Sequence, residues 1–166
     1  VAPAEGFIKD SSKWVIFPRL SFANHKMIEE RNPQIGEDFS SYKFNKISGK
    51  GKKGIITGGI NYEYVCEALE GREDIKIFKV STPFPFPEKQ ALEFAEGLDE
   101  ILAVEELDPV LERAMLMLCG KHHLKFEVKG KLTGNVPQSG ENTVESVRKI
   151  IADFMGEALP EEKPME

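Results

Sequence analysis

The stretch Lys52–Gly71, KKGIITGGINYEYVCEALEG, constrains the fold more than any other part of the chain. Gly54–Thr57 is a short apolar run that stops at Gly58 and Gly59. The apolar period then changes: Tyr62, Val65, Cys66 and Leu69 fall at i, i+3, i+4 and i+7, one face of a helix. A buried strand, a two-glycine turn and an amphipathic helix form the first half of a βαβ unit. Ligands of such folds lie beyond the carboxyl ends of the strands, so this turn is the first place to look for function.

The rest of the chain repeats the alternation. Ile75–Val80 (IKIFKV) is a second strand, followed by Ser81–Pro87 (STPFPFP), where three alternating prolines require an extended path. Pro87 suits the first position of the next helix, whose apolar side is Ala91, Leu92, Ala95 and Leu98 and whose end is Gly97–Asp99. Ile101–Val104 is another wholly apolar strand. Asp108-Pro109 then opens a helix over Val110–Leu118, closed by Gly120. That helix is apolar almost all round and should be well buried. Leu124, Phe126 and Val128 alternate with Lys125, Glu127 and Lys129, which gives an edge strand with one wet face. Lys131–Gly140 is turn-rich. Asn142 and Glu145 have capping-box spacing ahead of a last helix, Thr143–Met155, which stops at Gly156. Strands alternating with helices predict a three-layer α/β/α sandwich on a mostly parallel sheet, with Ile55–Thr57 and Ile101–Val104 central.

Residues 1–50 are patterned differently. Lys13–Phe17 (KWVIF) is a strand candidate stopped by Pro18, Phe22–Arg31 a short helix capped by Ser21, and Asn32–Lys53 a polar loop. Lys46, Lys50, Lys52 and Lys53 lie close together, either a solvated face or an anion site. This part reads as a lead-in that wraps the domain of residues 51–156, with 157–166 an acidic tail. The start at Val1 and that tail suggest a domain excised from a longer polypeptide.

Composition narrows the function. A net charge of −6 argues against a nucleic-acid binder. No apolar run approaches the ~20 residues of a membrane span. Two cysteines, Cys66 and Cys119, lack any CxxC or Cys/His spacing and read as buried free thiols, in keeping with a reducing, cytoplasmic setting. His122-His123 cannot form a helical i, i+4 metal pair, and with the distant His25 they give no metal site.

Three constellations could carry chemistry. Thr57, Gly58, Gly59 and Asn61 lack both the P-loop Lys-Ser/Thr and the dinucleotide glycine spacing. The helix-start amides could still accept an anion, or the glycines could serve only the tight turn. Glu105 and Glu106 follow the second central strand. They could do acid–base work, or accept hydrogen bonds from the Gly58–Asn61 amides and brace the crevice. Thr82, Phe84 and Phe86 lie in the proline turn, packing on a neighbour or touching a substrate.

The segments GIITGGINYEYVCEALE and TPFPFPEKQALEFAEGLDEILAVEELDPVLE, in that order, resemble the large subunit of indolepyruvate:ferredoxin oxidoreductase. EGFIKDSSKWVIFPRLSFANHKMIEERN resembles its lead-in, and the likeness spans about residues 5–155. The resemblance implies a middle domain similar to the transketolase carboxyl-terminal domain. Its mixed five-stranded sheet has the order 1-3-2-4-5, with strand 1 antiparallel. KWVIF would then be strand 1 and KFEVKG the opposite edge. It also implies a parent enzyme that converts aryl pyruvates and coenzyme A to aryl-acyl-CoA and CO₂ and reduces ferredoxin. That enzyme would use thiamine diphosphate, Mg²⁺ and [4Fe-4S] clusters, with a smaller (beta) subunit as partner. The chain has no C-x₂-C-x₂-C-x₃-C run, so the expectation is a structural, non-catalytic domain. Gly58–Asn61 and Thr82–Phe86 would supply one wall of the active-site or coenzyme A cleft. Two other readings stand beside it: a free-standing flavodoxin-like module for a nucleotide or other anion, and a dimerisation domain built on the PFPFP edge.

Overall fold

The computed structural model describes Pro3 and residues 6–158, so most of the expected acidic tail lies outside the described residues. The chain divides into two units, Val1–Ile35 and Gly36–Glu166. In the first, α1 (Ser11–Trp14) opens at Asp10, whose side chain accepts from the Ser12 amide at 2.9 Å. The strand expected at Lys13–Phe17 is not there. The Asp10 cap turns its start into a helical turn, and Val15, Ile16 and Phe17 are exposed instead of entering a sheet. The second helix, α2 (Pro18–Phe39), begins earlier and ends later than the expected Phe22–Arg31. Pro18 is tolerated in the first turn, and the Ser21 amide donates to Phe17 O at 2.8 Å, so Ser21 is already inside the helix. Only Gly36 of its 22 residues is buried, so the extension left no apolar period to read.

The second unit is the sandwich. Its strands are β1 (Lys46–Ser48), β2 (Lys53–Thr57), β3 (Lys76–Lys79), β4 (Glu100–Val104) and β5 (Glu127–Lys129). They form one sheet of order β1-β3-β2-β4-β5, with β1 antiparallel to β3 and the other neighbours parallel. The expected topology therefore holds, but its antiparallel strand is Lys46–Ser48, a segment expected to be loop. Three residues with only Ile47 half-buried carry no period-two signal.

Helices α3 (Ile60–Leu69), α4 (Glu88–Ala95), α5 (Val110–His122) and α6 (Val144–Met155) cover both faces. Ile56, Phe78, Ile101 and Ala103 pack with Phe94 of α4 and Leu111, Met115 and Leu118 of α5. Ile55, Ile77, Leu102 and Val104 pack with Val65 and Leu69 of α3 and Val147, Ile151 and Phe154 of α6. Successive strand residues thus serve opposite cores, as the pleat requires. Because β2, β3 and β4 are buried on both faces, they read as continuous apolar runs rather than alternating ones.

Several helix ends differ from expectation. α5 passes through Gly120 and stops where His123 turns left-handed at φ 52°, and its cap amide donates to Cys119 O. His122 is therefore helical, not extended. Its Nε2 lies 2.7 Å from Glu88 Oε1. α6 is capped by Thr143 with Ser146, one residue beyond the expected Asn142–Glu145 box, because the Asn142 side chain is engaged elsewhere. Cys66 and Cys119 are free and half-buried, one on each side of the sheet.

Buried Asn45, not singled out by sequence, locks the turn after β3. Its Nδ2 donates to Phe39 O at 2.9 Å and Thr82 Oγ1 at 2.8 Å, and its Oδ1 accepts from the Ser81 amide at 2.7 Å. Asn45→Ala leaves these partners short of a bond and is expected to cost about 2 kcal/mol, read as a shift of the urea unfolding midpoint at unchanged slope.

Candidate functional site

The carboxyl ends of β2 and β4 are neighbours, with Thr57 paired to Val104. From β2 the chain leaves through α3 on one face, and from β4 through α5 on the other. Divergent exits from adjacent parallel strands make a topological switch point, where open α/β sheets form a crevice for ligands. Strands β2–β5 taken alone have the flavodoxin-like order, with β1 added at the edge.

In this chain the crevice is bridged by the chain's own side chains. Thr57, fully buried, donates from Oγ1 to Val104 O at 2.9 Å. Asn61, in the first turn of α3, accepts at Oδ1 from Asn142 Nδ2 at 2.7 Å. The Asn142 amide in turn donates to Glu106 Oε1 at 2.9 Å. A bonded series, Asn61–Asn142–Glu106, thus crosses from the end of β2 to the end of β4. Asn142 belongs to the β5–α6 connection and is buried. Sequence reasoning spent it on a helix cap, and no spacing along the chain could have paired it with Asn61, 81 residues away.

Glu105 and Glu106 part company. The pleat sends Glu105 to the same side as Ala103, where α5 starts, and Glu106 to the side of Val104. Glu105 accepts from the Leu111 amide at 2.7 Å and the Glu112 amide at 3.0 Å, satisfying two N–H groups that the start of α5 cannot bond internally. The expected bonds to the Gly58–Asn61 amides are absent among the described hydrogen bonds. The acids brace instead α5 and the β5–α6 connection. Burial pushes the Glu105 carboxyl above its ordinary value, against the pull of the backbone amides. Its charged form is therefore less favourable folded than unfolded, and wild-type stability is lost as pH rises through the folded pKa. Glu105→Gln is expected to cost about 1 kcal/mol through a lost amide acceptor. The gap to wild type should narrow as pH rises above the ordinary carboxylate range; denaturant titrations of both proteins at several pH values check this.

The two glycines have different reasons. A Cβ on Gly58 would lie 2.5 Å from Val80 O, so the ends of β2 and β3 approach too closely for any side chain. Gly59 has open space around it but φ 56° and ψ −140°, a conformation that L-residues avoid. Thr82 is held by Asn45, and Phe84 is 77 % exposed. The candidate residues therefore form three groups: Thr57, Gly59, Asn61 and Glu106 at the crevice, Glu105 at α5, and Gly58 with Thr82 and Phe84 by the end of β3 and the turn after it.

No family model matches the chain. Curated relatives do. Indolepyruvate oxidoreductase subunit IorA of Thermococcus kodakarensis is 38 % identical over 158 residues, which is 93 % of this chain and 24 % of the relative. The same subunit is 35 % identical in Pyrococcus horikoshii, and 30 % in Methanothermobacter thermautotrophicus over 26 % of that relative. This chain is similar to a segment of subunit IorA. The IorA-like segment spans about a quarter of the length of the relatives it matches. Among solved structures, 2-oxoglutarate:ferredoxin oxidoreductase from Magnetococcus marinus shares the fold at TM-score 0.52 and 18 % identity, over 84 % of this chain and 24 % of that one.

The cofactors of such enzymes can be set against the residues present. Among the described residues no three His, Cys, Asp or Glu side chains are grouped to hold a metal ion. Cys66 on α3 and Cys119 on α5 lie on opposite sides of the sheet. Two thiols so placed do not fit an iron–sulfur cluster. No helix among the described residues is long and apolar enough to cross a membrane.

Proposed function

We propose that this chain is a structural domain in the large subunit of a cytoplasmic 2-oxoacid:ferredoxin oxidoreductase acting on aryl pyruvates such as indolepyruvate. The parent would use thiamine diphosphate with Mg²⁺, coenzyme A and [4Fe-4S] clusters held outside this segment. It would work with a smaller subunit and pass electrons to ferredoxin. The lead-in, the domain of residues 51–156 and the tail would be consecutive parts of that subunit. The observation that carries the structural role is the Asn61–Asn142–Glu106 series, which occupies the switch-point crevice with the protein's own hydrogen bonds. What this segment can offer a ligand is its outer rim. Gly59, Asn61, Thr82 and Phe84 would form one wall of a coenzyme A or substrate cleft completed by another domain. The Magnetococcus marinus enzyme, whose structure carries coenzyme A and succinyl-CoA, is consistent with such a cleft in the parent.

The flavodoxin-like reading shares the strand order of β2–β5 but needs the crevice open, and Asn142 bridges it. The complete large and small subunits, assayed anaerobically, should reduce ferredoxin only when both indolepyruvate and coenzyme A are supplied. An assembled pair that leaves ferredoxin oxidised with every aryl pyruvate would overturn the functional reading. Turnover by the 166-residue chain alone would overturn the structural role.

A further inference from the structure

α5 was expected to be well buried, because it is apolar almost all round. One side is: Leu111, Met115 and Leu118 are in the core. The other carries Val110, Arg113, Met117 and Gly120 at i, i+3, i+7 and i+10, with Leu116 beside them, and these are exposed. Met117 is 75 % exposed, whereas Met115, two residues earlier, is fully buried. Two loops extend the apolar surface. Leu107, just before α5, is 86 % exposed and held at φ 57°, a conformation bulky residues rarely adopt. Glu105 and Glu106 anchor the chain on its amino side through bonds to α5 and Asn142. Leu132, also exposed, is tied to α5 by its amide, which donates to the Glu112 carboxylate at 3.0 Å. A helix apolar nearly all round is ordinarily buried on both sides, and exposed apolar residues gathered on one helix face mark a protein contact.

We infer that the outer face of α5, with Leu107 and Leu132, is the seat on which another part of the same large-subunit polypeptide docks. The inference rests on the reading of this chain as one segment of an IorA-like subunit. The relatives are about four times as long as the segment they share with it. Their match covers 93 % of the chain, leaving only about a dozen residues outside it, so residues 107–132 fall within it. The remainder of such a subunit, about three quarters of its length, is what this segment lacks when taken alone. A second copy of this chain fits less well. In a packing of α5 on itself, Val110, Leu116, Met117 and Gly120 offer no carboxylate to Arg113 of the other copy. The docking partner should instead present an apolar surface with a carboxylate for Arg113.

Hydroxyl-radical oxidation of methionine, read by mass spectrometry, tests this, with buried Met115 as the internal standard on the same helix. In the 166-residue chain Met117 should be oxidised much faster than Met115. In the complete large subunit, without its partner subunit, Met117 should slow by about tenfold and approach Met115, as an interface core packed like a protein interior requires. Equal Met117 rates in the two proteins would overturn the inference. So would protection that appears only when the smaller subunit is added, or protection of the 166-residue chain that grows with its concentration. If Met117 is protected but the complete enzyme oxidises no aryl pyruvate, the functional reading fails and the docking surface stands.

Discussion

Gly58→Ala is expected to destabilise the protein by about 3 kcal/mol, lowering the melting temperature by on the order of 10 °C. The added methyl would lie 2.5 Å from the backbone carbonyl of Val80, and backbone at a strand end cannot rotate away as a side-chain tip can. The Val80 amide is itself bonded to Thr57 O at 2.8 Å, so β2 and β3 would have to part just where they are tied. Gly59→Ala is the comparison. Its methyl meets open space, and only the strain at φ 56° opposes it, about 1–2 kcal/mol. Thermal unfolding of both variants checks the order. If Gly59→Ala proves the more damaging, the close approach of β2 to β3 is not what fixes Gly58.

Gly130→Ala is expected to cost about 2–3 kcal/mol by a different route. The methyl would lie 2.6 Å from the carboxyl carbon of Glu112, a side chain with no exposed surface. That carboxylate accepts from the Leu132 amide, so moving it breaks the tie between α5 and the β5–α6 connection. Shortening Glu112 as well removes the collision. In a double-mutant cycle, Gly130→Ala with Glu112→Ala should therefore cost less than the sum of the two single variants. Additive costs would show that Gly130 is fixed by something other than Glu112.

The fold was legible where burial on both faces wrote long apolar runs. Ile55–Thr57 and Ile101–Val104 are the central pair, and the alternation of strands with helices gave the layers. The motif order supplied the sheet order, but the antiparallel strand was assigned to KWVIF on local apolar content. Asp10 starts a helical turn there, while Lys46–Ser48, with one half-buried residue, has nothing periodic to detect. The candidate site was legible in its positions and less so in its bonds. Thr57 and Asn61 do lie at the crevice, and both glutamates do brace the structure. Which groups they brace depends on the pleat, which parts Glu105 from Glu106, and on Asn142, which meets Asn61 only after the chain has folded. Asn45 was missed for the same reason: two of its three partners, Ser81 and Thr82, are 36 and 37 residues away. The all-round apolar α5 was read as buried, and the exposed half is where the sequence and this segment taken alone disagree.

Isothermal titration of the 166-residue chain tests most directly whether the switch-point crevice is closed by the protein itself. The ligands are coenzyme A, thiamine diphosphate with Mg²⁺, and flavin mononucleotide as the probe of a flavodoxin-like site. The expected result is no saturable heat with any of the three. Saturable binding of one of them that Asn61→Ala abolishes would contradict the account, because the crevice would then be a ligand site in its own right.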